Sequence, residues 1–227
     1  MKRQIRFSAN ILIAILVFMG WTLTFVTVSE ILCVIGFENL KFFTVLSNLF
    51  EGLVSLLWII TYTVTKGKTF RWLEILKYIA AVSVFVTFTV VLVFLVPLYG
   101  VLGMYKNANL LFHLIIPLIA VVEAMFLSDS DFSWKENLLV MIPPVLYGVG
   151  YLVNILVNGI GLGSETNDFY AFLTWGYPVG VLIFVSIAAL SFVLGLAIRL
   201  LRKNVAEGFK WEKKKKEEEE NVSVSKE

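Results

Sequence analysis

The only histidine of this chain, His113, lies in the apolar stretch from Leu110 to Leu127, which also contains Glu123. An imidazole and a carboxylate are costly inside a segment long enough to cross hydrocarbon, so both residues indicate a functional site. A neutral imidazole is the side chain best suited to accept a proton near neutral pH. These residue types therefore point to acid–base chemistry inside a membrane.

A stripe of polar residues lies on the second apolar segment. Its members follow one another at steps of three or four, so they share one face of a helix: Thr44, Ser47, Asn48, Glu51 and Ser55. At 1.5 Å per residue, Glu51 lies roughly 10 Å deeper in the membrane than Thr44. Polar side chains avoid lipid, so this face is predicted to point toward other helices or a wet cavity.

Thr44 and His113 are predicted to lie at similar depth, because both of their helices enter the membrane from the same side. Glu123 lies about 15 Å further along its helix and is not expected to join them. A base that takes its proton makes a threonine hydroxyl nucleophilic, and Asn48, one turn away, can donate an N–H to an oxyanion. The set is compatible with acyl transfer or lipid-ester hydrolysis, with Thr44 as nucleophile and His113 as general base.

Other polar groups are expected near the same end of the bundle. The sixth segment begins with Tyr177-Pro178. The fifth segment carries polar residues at steps of four, three and four, namely Tyr147, Tyr151, Asn154 and Asn158. The residues predicted to bind substrate or to stabilise an oxyanion are Ser47, Asn48, Glu51, Asn154 and Tyr177. An alternative is that polar groups only join helices, each contact being worth about 0.6 kcal/mol. We favour that alternative for Ser55, Tyr147 and Asn158.

Pro117 is predicted to distort the helix that carries His113. Proline has no N–H, and its ring collides with the carbonyl four residues earlier, which is that of His113. We therefore expect a kink and an unpaired carbonyl oxygen beside the imidazole.

Membrane-spanning helices must position all of these residues. Of the 227 residues, 59% are hydrophobic and 16% are charged, and the mean hydropathy is +0.85, more than a soluble domain needs to fill its core. The sequence predicts an all-α, polytopic six-helix bundle with short loops over residues 1–203 and a charged cytoplasmic tail over 204–227. The predicted helices are 11–35, 43–64, 78–99, 110–127, 138–158 and 177–201.

The distribution of basic residues predicts the orientation. Lys and Arg are concentrated at the N-terminus, in the second loop, at Lys135 and after Arg199, whereas the intervening loops hold only Lys41 and Lys106. Cytoplasmic loops carry the excess, so both termini of this multi-pass protein are predicted to be cytoplasmic, in the plasma membrane. Cys33 is the sole cysteine, which excludes an intrachain disulfide.

The expected partners are membrane lipids and a lipid or lipophilic ester substrate, and no nucleic acid. No cofactor is expected. One histidine with scattered carboxylates supplies too few ligands for a metal site.

The sequence contains three short motifs: Lys41-Phe-Phe-Thr44-Val-Leu-Ser47-Asn48, His113-Leu-Ile-Ile-Pro117 with Glu123 six positions on, and Tyr177-Pro178. They resemble motifs of a group of bacterial six-helix membrane proteins that is similar to the Far-17a, or androgen-induced, family of animals. Animal members are threonine hydrolases that cleave fatty acid esters of hydroxy fatty acids. The resemblance implies the same roles for Thr44 and His113, although Ser47-Asn48 and the His-x-x-x-Pro setting depart from the animal pattern.

Two other classes of function remain open from the sequence. A proton- or ion-coupled small-molecule carrier would use Glu51, His113 and Glu123 as titratable groups along the bundle. No internal repeat supports a carrier. A non-enzymatic sensor or assembly protein would have to act through the charged tail.

Overall fold

The computed structural model describes the backbone of residues 1–27, 34–161, 166–173 and 175–224, and the side chains in these ranges except 98, 99 and 205–224. Cys33 lies outside the described residues. Within these ranges six helices are long and apolar enough to cross a membrane, and no strand occurs. They are α1 (Lys2–Val26), α2 (Phe43–Val64), α3 (Arg71–Leu95), α4 (Ala108–Leu127), α5 (Trp134–Asn158) and α6 (Tyr177–Val224). The predicted all-α helical bundle is confirmed.

The main differences from the predicted helix ranges lie at charged ends. α1 begins at Lys2 and ends at Val26, whereas the hydropathy predicts 11–35, of which 28–33 lie outside the described residues. α3 begins at Arg71 instead of residue 78. Hydropathy marks where an apolar run starts, but charged residues also form helical turns when they find partners inside the bundle. α6 continues to Val224, so part of the predicted tail extends the last helix.

Helix α3 forms the centre of the bundle. It packs against α2, α4 and α6, while α1 packs against α2 and α4, and α5 packs against α6. Side chains from α1, α3 and α4 share one core that includes Ile13, Val82, Phe112 and Ile116. This arrangement brings the inner faces of α1, α2, α3 and α4 together.

The packing of α1 depends on two glycines. A Cβ on Gly20 would lie 2.5 Å from the ring of Phe112 in α4, and a Cβ on Gly52 of α2 would lie 2.7 Å from Val17. Neither approach is possible with a larger residue unless a neighbour shifts. Glycine at these positions lets α1 lie close to both α2 and α4.

Helices α3 and α4 contain π-helical turns. Val91–Leu95 and Leu111–Ile115 are each followed, two residues later, by a proline, Pro97 or Pro117. In the second turn the N–H of Ile116 bonds to the carbonyl of Leu111, five residues back. Such turns often mark functional positions in helices.

Candidate functional site

Five charged side chains from four helices meet inside the bundle, in the half that holds the N-terminus. They form what we call the charge cluster: Arg6 of α1, Glu51 of α2, Glu74 and Lys77 of α3, and Glu123 of α4. Each is buried, the most exposed being Arg6 at 5%. Buried charges must be paired and hydrogen-bonded to be tolerated, and the contacts of these five residues meet that demand in part.

The guanidinium of Arg6 joins two of the carboxylates. Its Nη1 and Nη2 donate to the two oxygens of Glu74 at 2.9 and 2.7 Å, and its Nε donates to Glu123 Oε1 at 2.5 Å. The indole of Trp58 donates to Glu74 Oε1 at 3.1 Å, and Arg6 lies 4.7 Å from the Trp58 ring centre. The two-pronged pairing fixes the position of Glu74 at this end of the cluster.

The ammonium of Lys77 joins the third carboxylate to the same network. Lys77 Nζ donates to Glu51 Oε1 at 2.5 Å and to Ser55 Oγ at 2.9 Å, and lies 3.6 Å from Glu123 Oε2. Glu51 and Glu123 therefore share one cation. Three carboxylates and two cations alternate across the inner faces of four helices.

Several oxygens beside this network have no hydrogen-bond donor among the described residues. They are Glu51 Oε2, Glu123 Oε2, Asn10 Oδ1 and Asn48 Oδ1, and all four are acceptors. A buried acceptor without a donor is unusual and costs free energy. The cluster therefore has capacity for further donors, such as a proton on a carboxylate.

Ser128 connects the charge cluster to the last helix. Its hydroxyl donates to Glu74 Oε2 at 3.3 Å and accepts from Nη1 of Arg202 in α6 at 3.3 Å. Arg202 is itself buried and also binds the carbonyl of Ser130. All helices except α5 thus contribute a side chain to the cluster or its surroundings.

Local sequence spacing explains why these residues face inward. Arg6, Asn10, Ile13 and Val17 follow one another at steps of four, three and four and are all buried on one face of α1. Glu74 and Lys77 are three residues apart on the buried side of α3. The charged and apolar positions therefore belong to the same inner faces.

The predicted catalytic residues lie toward the opposite end of the bundle. Thr44 is half-buried in the first turn of α2, and His113 is buried in the π-helical turn of α4. His113 Nδ1 lies 2.8 Å from the carbonyl of Met104, which can only accept, so Nδ1 carries the proton and Nε2 the lone pair in the neutral ring. Among the described residues, no hydrogen bond joins the Thr44 hydroxyl to His113.

Asn48 links α2 to α4. Its amide Nδ2 donates to the carbonyl of Thr44 at 2.7 Å and to the carbonyl of Phe112 at 3.1 Å. The Phe112 carbonyl lacks a regular helical donor because Ile116 bonds to Leu111 and Pro117 has no N–H. The carbonyl that loses its regular helical donor in this turn is therefore that of Phe112, the residue before His113. Both amide hydrogens of Asn48 are committed to carbonyls, which leaves none for an oxyanion.

The remaining predicted site residues have separate surroundings. The hydroxyl of Ser47 lies 3.1 Å from that of Thr87 in α3, and Asn154 donates to Asn167 at 3.1 Å. Tyr177 is 45% exposed at the start of α6. No hydrogen bond between described residues connects Asn154 or Tyr177 with Thr44 or His113. Glu51 belongs to the charge cluster.

The polar face of α5 binds the segments that link the helices. Tyr147 donates to the carbonyl of Lys41 at 2.6 Å, and Tyr151 donates to Asp168 at 2.7 Å. The hydroxyl of Tyr170 accepts the N–H of Phe43 at the start of α2 at 3.1 Å. Burial raises the pKa of Tyr170 to about 12, so this hydroxyl remains protonated near neutral pH. These contacts hold the start of α2 in place.

An open cavity lies at the same end as Thr44, between the end of α1 and the start of α4. Its empty volume, counted together with open solvent at its mouth, is about 480 Å³. Hydroxyl and amide groups line it together with one aromatic ring: Thr24, Thr27, Asn39, Asn107, Asn109 and Phe112. We call it the end cavity. Phe112, one of the residues that line the end cavity, also accepts the hydrogen bond from Asn48 through its carbonyl.

Sequence reasoning missed three of the five cluster residues. The apolar runs leave Arg6 in the N-terminal segment and Lys77 in the second loop, among the basic residues that predict the orientation. Both residues instead lie within helices, where Lys77 is 2% exposed and Arg6 is 5% exposed. Glu74 was not singled out at all. One available signal was charge balance, since two carboxylates in apolar segments require cations, and Arg6 and Lys77 each border such a segment. The orientation of the termini stays a prediction from the remaining basic residues, which include Lys2, Arg3, Lys66 and Lys68.

The part of the chain that the structure describes contains no group of three or more His, Cys, Asp or Glu residues placed to hold a metal ion. No protein-family model, no curated protein and no solved structure matches this chain, so its resemblance to the Far-17a family stays a prediction.

Proposed function

We propose that this protein is a membrane carrier in which movement of a small polar solute is coupled to protonation of the charge cluster. The observation that carries the proposal is the ammonium of Lys77, buried between Glu51 and Glu123, each of which has one oxygen without a donor. Buried titratable groups inside membrane helices mark ion and proton pathways. A purely structural cluster has no need of buried carboxylate oxygens that accept no hydrogen bond.

The end cavity supports a polar solute rather than a lipid chain. Thr24 and Thr27 line the cavity, and their hydroxyls donate to carbonyls of their own helix, which leaves each oxygen able to accept. Asn39 also uses its Nδ2 on a carbonyl, that of Gly36. The lining also includes Lys106, so it offers hydrogen-bond donors as well as acceptors and favours a polar solute.

Flux measurements in proteoliposomes test the carrier. Vesicles with a trapped pH indicator receive, one at a time, glucose, glycerol and a mixture of neutral amino acids. We expect at least one addition to produce a pH change with wild-type protein, and Glu51→Gln to abolish it. Asn158→Gln, at an exposed position on α5, serves as the matched control and should retain the flux. If none of these solutes changes the internal pH of vesicles that contain wild-type protein, the proposal is overturned.

Lipid-ester hydrolysis by Thr44 and His113 is a second candidate function. The bond from His113 Nδ1 to Met104 favours it, because it leaves Nε2 of the neutral ring as a proton acceptor. The commitment of the Asn48 amide to two carbonyls counts against an oxyanion role for that residue. A fluorophosphonate acyl-hydrolase probe tests it: a hydrolase would be labelled in wild type and unlabelled in Thr44→Ala and His113→Ala, while a carrier would be unlabelled in all three.

A further inference from the structure

The three carboxylates of the charge cluster are unequally supplied with donors. Glu74 receives four hydrogen bonds, from Arg6 twice, from Trp58 and from Ser128. Glu123 receives Nε of Arg6 on one oxygen and faces Lys77 with the other. Glu51 receives Lys77 and Ser55, both on Oε1, and nothing on Oε2. Glu123 also has an oxygen without a donor, but it contacts both cations whereas Glu51 contacts only Lys77, so Glu51 is the carboxylate least stabilised as an anion.

The net charge of the cluster also favours one protonated carboxylate. Its three carboxylates face only two cations, Arg6 and Lys77, and both cations contact Glu123. Arg202 bonds to Ser128 and interacts with Glu74 through space, so it balances charge at the Glu74 end of the cluster and not beside Glu51. Among the five cluster groups, when all are ionised, one negative charge is in excess, and a buried excess charge is costly. A single bound proton removes this excess.

A second acceptor without a donor lies on the same face of α2 as Glu51. Asn48 is three residues earlier on the same face of α2, within reach of an i, i+3 contact. Its Nδ2 must point at the carbonyls of Thr44 and Phe112, since its oxygen would repel them, and this directs Oδ1 away from them. Both Asn48 Oδ1 and Glu51 Oε2 are fully buried acceptors without a donor among the described residues.

We infer that Glu51 is the proton-binding residue of this protein, and that its protonated Oε2 donates a hydrogen bond to Oδ1 of Asn48. One proton then satisfies two buried acceptors and neutralises the excess charge of the cluster. The other ionisable groups that face this site are Lys77, which stays bonded to Oε1, and Glu123 beyond it. Glu123 stays ionised between Arg6 and Lys77.

The assignment gives the proton a connection to the end cavity. Asn48 holds the carbonyl of Phe112, whose side chain lines that cavity. Loss of the proton removes the donor from Asn48 Oδ1 and places two acceptors against each other, so the amide loses the contact that orients it. The inference rests on the proposed function in one respect, because only a carrier makes use of this connection.

Infrared difference spectroscopy of the purified full-length protein, recorded between neutral and alkaline pH, where exposed carboxylates stay ionised, tests the inference. A protonated carboxyl group has a C=O stretch that is absent from carboxylates and that shifts in D2O. We expect this band in wild type and in Glu123→Gln, and its loss in Glu51→Gln. We also expect a higher band frequency in Asn48→Leu, where the acceptor is gone. Absence of the band from folded wild type, or its loss in Glu123→Gln but not in Glu51→Gln, would overturn the assignment.

Folding is controlled separately. Glu51→Gln replaces the acid O–H with an amide N–H that can serve the same acceptor, so its melting temperature should remain close to that of wild type at neutral pH. A large fall in melting temperature for this variant alone would contradict a neutral Glu51. A band assigned to Glu51 together with absent solute-driven flux would refute the carrier and leave the proton site standing. Solute-driven flux that is lost in Glu123→Gln but retained in Glu51→Gln would support the carrier and refute Glu51 as the proton-binding residue.

Discussion

The two halves of this bundle satisfy their polar groups in different ways. In the charge cluster every ion pair joins different helices, with Arg6 of α1 contacting both Glu74 and Glu123. Around His113, by contrast, uncharged groups bond mostly to nearby backbone: Thr24 to Trp21, Ser47 to Thr44, and His113 to Met104. Charged groups have no adequate partner in their own helix, so they fix how helices assemble. Uncharged groups leave more freedom to the helices that carry them.

The largest expected difference concerns removal of a shared cation. Arg6→Met leaves Glu74 and Glu123 buried without their main partner, so we expect a loss of about 3–5 kcal/mol in the free energy of unfolding. Arg3→Met is the matched control, because the Arg3 side chain is 71% exposed and 3.9 Å from Asp129. Its effect should stay within about 0.5 kcal/mol. Denaturant unfolding in detergent measures both, and equal effects would refute the structural role of the cluster.

Close packing in the His113 half should respond less strongly. Gly20→Ala places a methyl group 2.5 Å from the Phe112 ring, which must move, and we expect a cost of about 1–3 kcal/mol. Gly150→Ala is the control, since nothing lies within 4 Å of the added Cβ. The same unfolding assay applies. A neutral or stabilising Gly20→Ala would mean that α1 and α4 are loosely packed at this end.

A smaller effect is expected from the amide that joins α2 to α4. Asn48→Leu keeps the shape of the side chain but leaves the Phe112 carbonyl without its donor, at a cost of about 1 kcal/mol. Asn158→Leu, at an exposed position, should change stability less. If Asn48→Leu destabilises as much as Arg6→Met, then the contrast between charged and uncharged contacts fails.

The smallest effect concerns an exposed ion pair at the rim of the cluster. The carboxylate of Asp129 is partly desolvated, but the hydrogen bond and charge of Lys2, with Arg6 and Arg3, hold its pKa below the ordinary value of 3.8. A lowered pKa in the folded state stabilises the fold above that ordinary value, and the stabilisation disappears as pH falls through the lowered pKa. Melting temperatures of wild type and Asp129→Asn should therefore converge on acidification. A constant difference down to low pH would contradict the pairing.

The fold was predictable because the hydropathy of each apolar run depends only on residues that are close together in the sequence. Six apolar runs predict six helices, and α2 occupies Phe43–Val64, the range that its apolar run indicates. The inward face of α2 was also predictable: Ser47, Asn48, Glu51 and Ser55 are all buried, as their spacing indicates. Periodicity determines which residues share a face of one helix, and this is the part that sequence supplies.

The pairing of charges between helices was not predictable in the same way. Lys77 meets Glu51 over 26 positions, and Arg6 meets Glu123 over 117 positions. No local pattern encodes such distances, because they depend on which helices become neighbours. The same residues also serve as orientation signals when they lie in loops, and counting basic residues does not separate the two roles. Depth along a helix brought Thr44 and His113 to one end but did not determine whether they touch.

Solute-driven proton flux in proteoliposomes, measured side by side for variants of the two regions, decides which region couples proton to solute movement. We expect Glu51→Gln to abolish the coupled pH change, and Thr44→Val and His113→Gln to retain it at matched folding and protein content. Retained flux in Glu51→Gln together with loss in Thr44→Val and His113→Gln would refute the carrier mechanism proposed for the charge cluster and would move the functional site to the His113 half.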